Sequence, residues 1–200
     1  VKCRADWDRI KAEFLDPDDP ARFPADWEGK VEEYRGRDWP LQLTHRGVYG
    51  FPRVLMGDEA LAFAFYDDPA MVHDIMDTYT DFAIRLWEKM TPDVDFDLIE
   101  CWEDMCSKNG SIISPAMFRE FMAPNYRRIR AFANAHDIPI VLVDSDGNIE
   151  KLAELMLEAG VNAMYPYEIL AGNELDEARE RLPGMAAIGG LKKEAMAEGD

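Results

Sequence analysis

Three apolar segments of this chain each lead directly into acidic residues. The segments and their acids are 96–100 with Glu103 and Asp104, 138–143 with Asp144 and Asp146, and 161–165 with Glu168. In parallel α/β folds the C-terminal ends of the strands form one rim, so carboxylates that follow the strands meet there. Positioned carboxyl groups transfer protons in enzymes and also bind cations. We therefore predict that Glu103, Asp144, Asp146 and Glu168 surround one mouth as catalytic acids, bases or metal-binding groups.

The segment Asp144-Ser145-Asp146-Gly147-Asn148 places two carboxylates two residues apart where a predicted strand turns into a helix. A like-charged neighbour raises the pKa of one carboxyl toward neutrality, which suits an acid or a base, and the pair could also hold a divalent metal ion. Gly147 permits the turn, and Asn148 can cap the helix that follows. The alternative is that both aspartates only cap that helix and interact with its positive N-terminal dipole.

Two arginines and a tyrosine follow the first predicted strand, at 41–45; they are Arg46, Arg53 and Tyr49. In so acidic a chain the arginines could form a local anion receptor, because the guanidinium fork matches a carboxylate. We predict that Arg46 and Tyr49 orient a bound ligand and that Arg53, Asp104 and Lys192 add further substrate contacts. The alternative is that the arginines only pair with nearby surface acids.

A glycine pair, Gly189-Gly190, lies between the last predicted strand and Lys192. Backbone amides exposed by such a pair could approach an anionic group at the start of a helix. The alternative is a tight turn that needs small residues.

The cysteines and histidines form a weak zinc signature. Cys101 and Cys106 could bind zinc together with His45 or His136, but a four-residue gap without a second tight pair is poor spacing for a zinc site. We expect both thiols to be buried and inert.

Composition limits the classes of partner. The 200 residues are 48% hydrophobic and carry 40 acidic against 22 basic side chains, a net charge of −18. This charge repels phosphate backbones, so we expect neither nucleic acid nor an anionic membrane as a partner. No signal-peptide pattern and no apolar run long enough to cross a membrane is visible. With three unevenly placed cysteines and no disulfide framework, we expect a reducing cytoplasm as the location.

Hydrophobic periodicity predicts an α/β domain over residues 39–200 that follows a helical lead-in over residues 1–38. The predicted strands are 41–45, 96–101, 138–143, 161–165 and 185–188. The last three alternate with predicted helices at 149–159 and 174–182, which requires a parallel sheet. A further helix that begins at Ser114 should kink or split at Pro124. A closed barrel of this kind needs eight strands, so either the sheet is open or strands are missing at both ends.

Four stretches together resemble the uroporphyrinogen decarboxylase superfamily. They are 113–121 (ISPAMFREF), 139–148 (ending DSDGN), 158–168 (beginning EAGVNA and ending PYE) and 189–193 (GGLKK). They span about half the chain in the order of the family. The resemblance implies a (βα)8 TIM barrel, of which this chain supplies about strands three to seven, within an incomplete polypeptide.

This superfamily contains two chemistries. The resemblance implies either decarboxylation of a tetrapyrrole-like substrate, as in porphyrin biosynthesis and without a cofactor, or methyl transfer between a corrinoid protein and a thiol, with zinc. In the zinc methyltransferases the strand end aligned with Asp144 and Asp146 carries His and Cys. Two hard oxygen donors replace those softer ligands here. The loop 44–50 also differs from the corresponding loop of the decarboxylase.

We expect a lyase of the decarboxylase type as the family-level activity. The alternatives are a methylcobamide:thiol methyltransferase with a corrinoid protein partner, a catalytically idle barrel that binds such a protein or a small ligand, and an unrelated α/β protein whose acids only cap helices. A homodimer is a further expectation. If barrel strands are missing, the outer strands expose unpaired backbone groups, and these 200 residues should behave poorly alone.

Overall fold

The computed structural model describes residues 1–199. Its helices and strands, in chain order, are α1 (Arg4–Phe14), α2 (Trp27–Arg35), β1 (Gln42–His45), α3 (Gly50–Met56), α4 (Asp58–Asp67), α5 (Pro69–Met90), β2 (Leu98–Trp102), β3 (Cys106–Ser107), β4 (Gly110–Ser111), α6 (Pro115–Met117), α7 (Ala123–Ala135), β5 (Ile140–Asp144), α8 (Glu150–Glu158), β6 (Ala163–Tyr167), α9 (Leu175–Arg181), β7 (Ala186–Gly189) and α10 (Lys193–Glu198). Short 3₁₀ turns occupy Pro20–Arg22 and Ile169–Ala171. None of the helices in this part of the chain has the length and apolar character that crossing a membrane requires.

The main sheet contains the five predicted strands in the order β1-β2-β5-β6-β7, and every neighbouring pair is parallel. This arrangement confirms the predicted α/β class and fits part of a TIM barrel, left open within the described residues. Three strands, β2, β5 and β6, begin about two residues later than predicted. Ile138 and Val161 are buried in the loops before β5 and β6, and Pro139 has no N–H for the ladder.

The two faces of the sheet have different surroundings. Leu43, Ile99 and Val143 are buried in the main core. The opposite face carries Glu100 in register with Thr44 and Leu142, and Trp102 in register with Asp144. Asp144 is in turn in register with Tyr165, which is 41% exposed. Because paired residues of neighbouring parallel strands point to the same face, this open face leads to the predicted mouth.

The helical lead-in packs against α5. Trp7 of α1 is fully buried in a small cluster with Met71 and Ile75. The Asp74 carboxylate accepts a hydrogen bond from the Trp7 indole at 2.9 Å and one from Lys11 at 3.0 Å. These contacts hold α1 on the outer layer, while a division of the chain at residues 38–39 stays a prediction.

Two local features differ from the sequence-based expectation, and one agrees with it. The hairpin β3–β4, whose two-residue loop is Lys108-Asn109, was not predicted. Helix α3 covers Gly50–Met56, a segment for which the sequence pattern predicted no helix. The expected split near Pro124 is confirmed, because a π-helical turn over Phe118–Met122 separates α6 from α7.

Candidate active site at the C-terminal ends of the strands

Backbone hydrogen bonds join the segments that follow β2, β5 and β6. The amides of Glu103 and Asp104 both donate to the Asp144 carbonyl, at 2.9 and 3.1 Å. The Ser145 amide donates to the Tyr165 carbonyl at 2.8 Å. The Gly147 amide donates to Oε2 of Glu168, also at 2.8 Å. The three acidic segments singled out in the sequence therefore lie side by side at one edge of the sheet.

Asp144 is the last residue of β5 and lies half-buried on the open face. Burial raises the pKa of its carboxyl from 3.8 to about 6, and the negative charges of Asp146, Glu100 and Asp104 contribute to the increase. A carboxyl with such a pKa is partly protonated near neutral pH, so it can donate a proton as well as accept one. Glu100 lies on the same face, and its carboxylate accepts a hydrogen bond from the side-chain Nε2 of Gln42.

Two asparagines accept hydrogen bonds with their side chains at the start of the helix after Asp144. The residue before α8 is Ile149, which provides no side-chain cap. The Glu150 amide donates to the side-chain oxygen of Asn148 at 3.3 Å, and the Ile149 amide donates to Asn173 at 2.9 Å. The start of α8 is thus held by two asparagines.

Trp102 lies between two arginines at the mouth. The guanidinium carbons of Arg46 and Arg53 are 4.4 and 4.8 Å from the centre of its ring. Arg53 also pairs with Asp104, at 2.9 Å between Nη2 and Oδ2, and donates to the Asp104 carbonyl. Asp104 has a φ of +45°, a left-handed conformation that Asp tolerates better than most residues. Arg46 is exposed, and its charge faces solvent beside the aromatic ring.

Trp102 was not singled out from the sequence as a site residue. The alternation of side chains along β2 places it on the same face as Glu100, and this pattern was the signal that could have identified it.

The position of Glu103 does not suit the catalytic role predicted for it. Its side chain is 0% exposed and points away from the open face. Its carboxylate accepts hydrogen bonds from the amides of Val48, Tyr49 and Gly50 at 2.7, 2.8 and 2.8 Å, and another from the Tyr126 hydroxyl. Burial raises its pKa, while these four donors act in the opposite direction. Glu103 therefore holds the loop after β1 and does not reach the mouth.

Tyr49 is likewise placed away from the predicted ligand. It is 1% exposed and stacks in parallel on Phe65 at 6.3 Å between ring centres. Burial raises the pKa of its hydroxyl to about 12. The expected role of Tyr49 in orienting a ligand is not supported by this position. Lys192 is exposed in the segment after β7. Only glycine fits at position 189, because a Cβ there would lie 2.8 Å from the Tyr167 amide nitrogen.

Both thiols considered for zinc are buried, and so is the imidazole of His45, whereas His136 is exposed. Burial raises the pKa of Cys101 well above its ordinary value and that of Cys106 to about 11. Burial also lowers the pKa of His45 to about 3. Across residues 1–199, no group of three or more His, Cys, Asp or Glu side chains is arranged to hold a metal ion. The two carboxylates of Asp144 and Asp146 fall short of the three protein ligands that a zinc site needs, and they are harder donors than zinc-thiolate chemistry uses.

Comparison with known proteins identifies the family. The model of the family described as uroporphyrinogen decarboxylase (URO-D) matches residues 54–200, well over half of the chain. No curated protein matches the sequence. Among solved structures, a methyltransferase from Methanosarcina mazei is similar, with a TM-score of 0.61 and 17% sequence identity. That match covers 80% of this chain and 44% of the methyltransferase, so this chain spans less than half of its length. The chain belongs to the uroporphyrinogen decarboxylase family.

Proposed function

We propose that this protein is a decarboxylase in which Asp144 supplies the proton that replaces the departing carboxyl group. The observation that carries the proposal is the half-buried Asp144 carboxyl, whose pKa is raised to about 6 at an open mouth. The carbon–carbon bond to the substrate carboxylate breaks, CO2 leaves and the electron pair stays on the substrate carbon. The proton of Asp144 then forms the new carbon–hydrogen bond, and solvent reprotonates Asp144. The reaction is redox-neutral and balances without a cofactor.

The charges around Asp144 favour a particular type of substrate. Glu100, Asp104 and Asp146 create a negative field, which attracts N–H groups or a positively charged ring and disfavours a carboxylate placed beside them. Arg46 and the Trp102 ring provide a cation and an aromatic surface at the same mouth. A ring system with N–H groups near the acids and a carboxylate near Arg46 satisfies both requirements. A tetrapyrrole-like substrate has this chemistry.

Methyl transfer remains the second candidate, because the similar structure from Methanosarcina mazei is a methyltransferase. At 17% identity that likeness concerns the fold. Zinc-dependent activation of a thiol needs softer ligands than Asp144 and Asp146, and burial keeps Cys101 and Cys106 protonated. These side chains favour proton transfer over metal-thiolate chemistry at this strand end.

The test uses the complete protein that contains this chain. It is incubated with uroporphyrinogen in heavy water, and released CO2 and deuterium at the decarboxylated carbon are measured. We expect turnover in the wild type and a loss of about 100-fold or more in Asp144→Asn, the range for removal of a general acid. Asp95→Asn, an exposed site before β2, is the matched control and should keep its rate. Turnover only with methylcobalamin and a thiol, or silence with both substrates, would overturn the proposal.

A further inference from the structure

The Glu103 carboxylate gathers four hydrogen-bond donors from two separate parts of the fold. Three are consecutive backbone amides, from Val48 to Gly50, in the loop after β1. The fourth is the hydroxyl of Tyr126 on α7. An ionised carboxylate only accepts hydrogen bonds and has about four lone-pair positions, so it can satisfy all four donors. A glutamine has the same shape, but its NH2 group would face some of these donors.

The main chain of the same residue holds the opposite side of the mouth. The Glu103 amide donates to the carbonyl of Asp144 at 2.9 Å, and the next amide, of Asp104, donates to it at 3.1 Å. Trp102, which contacts Arg46 and Arg53, directly precedes Glu103. One residue therefore joins the loop after β1 and the start of α3, which carry Arg46 and Arg53, to the strand end that carries Asp144.

The loop is shaped to approach this residue closely. A Cβ at Gly47 would lie 2.6 Å from Oε2 of Glu103 and 2.1 Å from the Trp102 carbonyl oxygen. A Cβ at Gly50 would lie 2.3 Å from the same carbonyl. Such distances are too short for any real side chain. The two glycines allow the backbone amides between them to reach the buried carboxylate.

We propose that Glu103 is a positioning residue, which sets the placement of Arg46, Arg53 and Trp102 relative to Asp144 without touching the substrate. This inference rests on the function proposed above, because it concerns the geometry in which Asp144 meets a ligand bound by Arg46. The buried carboxylate keeps the loop after β1, which carries Arg46, in one conformation. Because the loop is already ordered, none of the binding energy of the ligand is used to order it.

The first test is independent of activity and measures amide hydrogen exchange in the full-length protein. In the wild type the amides of residues 48–50 should be protected, because they are buried and bonded to Glu103. In Glu103→Gln they should exchange at least about tenfold faster, the effect of losing about one such bond, while the amides of β5 keep their rates. Glu88→Gln, at an exposed position of α5, is the matched control and should change neither set. Unchanged protection of residues 48–50 in Glu103→Gln would overturn the inference.

The second test separates positioning from catalysis by steady-state kinetics with uroporphyrinogen. Glu103→Gln should raise KM at least about fivefold, with a smaller fall in kcat, because the ligand must now order the loop. Asp144→Asn should reduce kcat instead. An unchanged KM in an active Glu103→Gln enzyme would overturn the inference. If the wild type has no turnover, the proposed function fails, whereas the exchange result still decides whether Glu103 orders the loop.

Two further variants test the same role. The milder of them, Tyr126→Phe, serves if Glu103→Gln does not fold. Tyr126→Phe removes one of the four donors and leaves the carboxylate in place, so only partial loss of protection at residues 48–50 is expected. In Glu103→Ala, added acetate should occupy the vacated donors and restore protection, whereas acetamide should not. Equal effects of acetate and acetamide, or none of either on a folded variant, would contradict a role for the carboxylate.

Discussion

Oε2 of Glu103 lies 2.8 Å from the backbone nitrogen of Gly50, a residue 53 positions earlier in the chain. This contact joins the end of the second strand to the first helix after the first strand. It explains why a carboxylate is buried in an otherwise apolar region: it satisfies backbone amides that would have no other partner. A stability test of the same cluster follows from it.

Tyr126→Phe should lower the free energy of unfolding by about 1.5–3 kcal/mol, the range for a hydrogen bond to a charged group. Both Tyr126 and Glu103 are 0% exposed, so water cannot replace the lost donor. Chemical denaturation at neutral pH provides the measurement. Tyr66→Phe, at a site that is 77% exposed, is the control and should change stability by less than about 0.5 kcal/mol. An equal effect of the two substitutions would contradict the assignment.

Asp144→Asn should stabilise the fold at neutral pH. The pKa of Asp144 is 3.8 in the unfolded reference and about 6 in the folded protein, so between these values the native state binds more protons than the unfolded state. Stability of the wild type therefore falls as pH rises through this window, and the Asn variant lacks this loss. We expect the difference in Tm to be smallest near pH 4, to grow up to about pH 6 and to stay constant above it. A difference that does not vary with pH would show that Asp144 titrates normally.

His45 should make the fold sensitive to acid. Its pKa is about 3 in the folded protein against 6.5 in the reference state, because burial disfavours the charged imidazole. Between these values the unfolded state binds more protons, so stability is lost as pH falls below about 6.5. This dependence reaches at most about 1.4 kcal/mol per pH unit and should be reduced in His45→Gln. An equal slope in His45→Gln and in the wild type would contradict the buried, uncharged imidazole.

Trp102→Leu should weaken substrate binding more than it slows the chemical step. It removes the ring that both arginines contact, and each cation–π contact is worth about 0.5–1 kcal/mol at such exposure. We expect KM for uroporphyrinogen to rise about two- to fivefold for each of the two arginine–Trp102 contacts that is needed for ligand binding. Trp39→Leu, at a site that is 49% exposed, should leave KM unchanged. A fall in kcat alone would contradict a binding role.

Gly47→Ala should destabilise the protein strongly, because the φ of Gly47 is +89° and its Cβ would collide with the Trp102 carbonyl. Strain in this region of φ costs about 1–3 kcal/mol before the collision is counted. Gly36→Ala is the matched control, since its nearest contact would lie at 3.5 Å. Thermal unfolding of the two variants should therefore separate them clearly.

The order of the elements could be predicted from the sequence, because the signals are local. Apolar runs such as 138–143 are long enough for buried strands, and the acids after them mark the strand ends. The meeting of these ends at one edge follows from the parallel topology alone. The family resemblance was likewise carried by short stretches, and the family match confirms it.

The roles of individual side chains at the strand ends could not be predicted in the same way. Alternation along β2 places Glu100 and Trp102 on the open face and continues to Glu103, which follows Ile99 and Cys101 on the buried face; it is broken only at Asp104, where φ is +45°. Glu103 thus turns into the protein, toward donors from residues 48–50 and 126. These partners are distant in sequence, so no local pattern indicates that the buried carboxylate is satisfied by hydrogen bonds.

The carbonyl of Asp144 receives two amide hydrogen bonds, from consecutive residues of the neighbouring segment. The peptide plane that contains this carbonyl is therefore fixed. The carboxyl group can move only by rotation about the two side-chain torsions of Asp144, along an arc. An inhibitor that meets this acid must accordingly come within that arc. Compounds with a rigid hydrogen-bond donor at a fixed reach should thus bind this acid better than flexible ones, which lose more conformational entropy on binding.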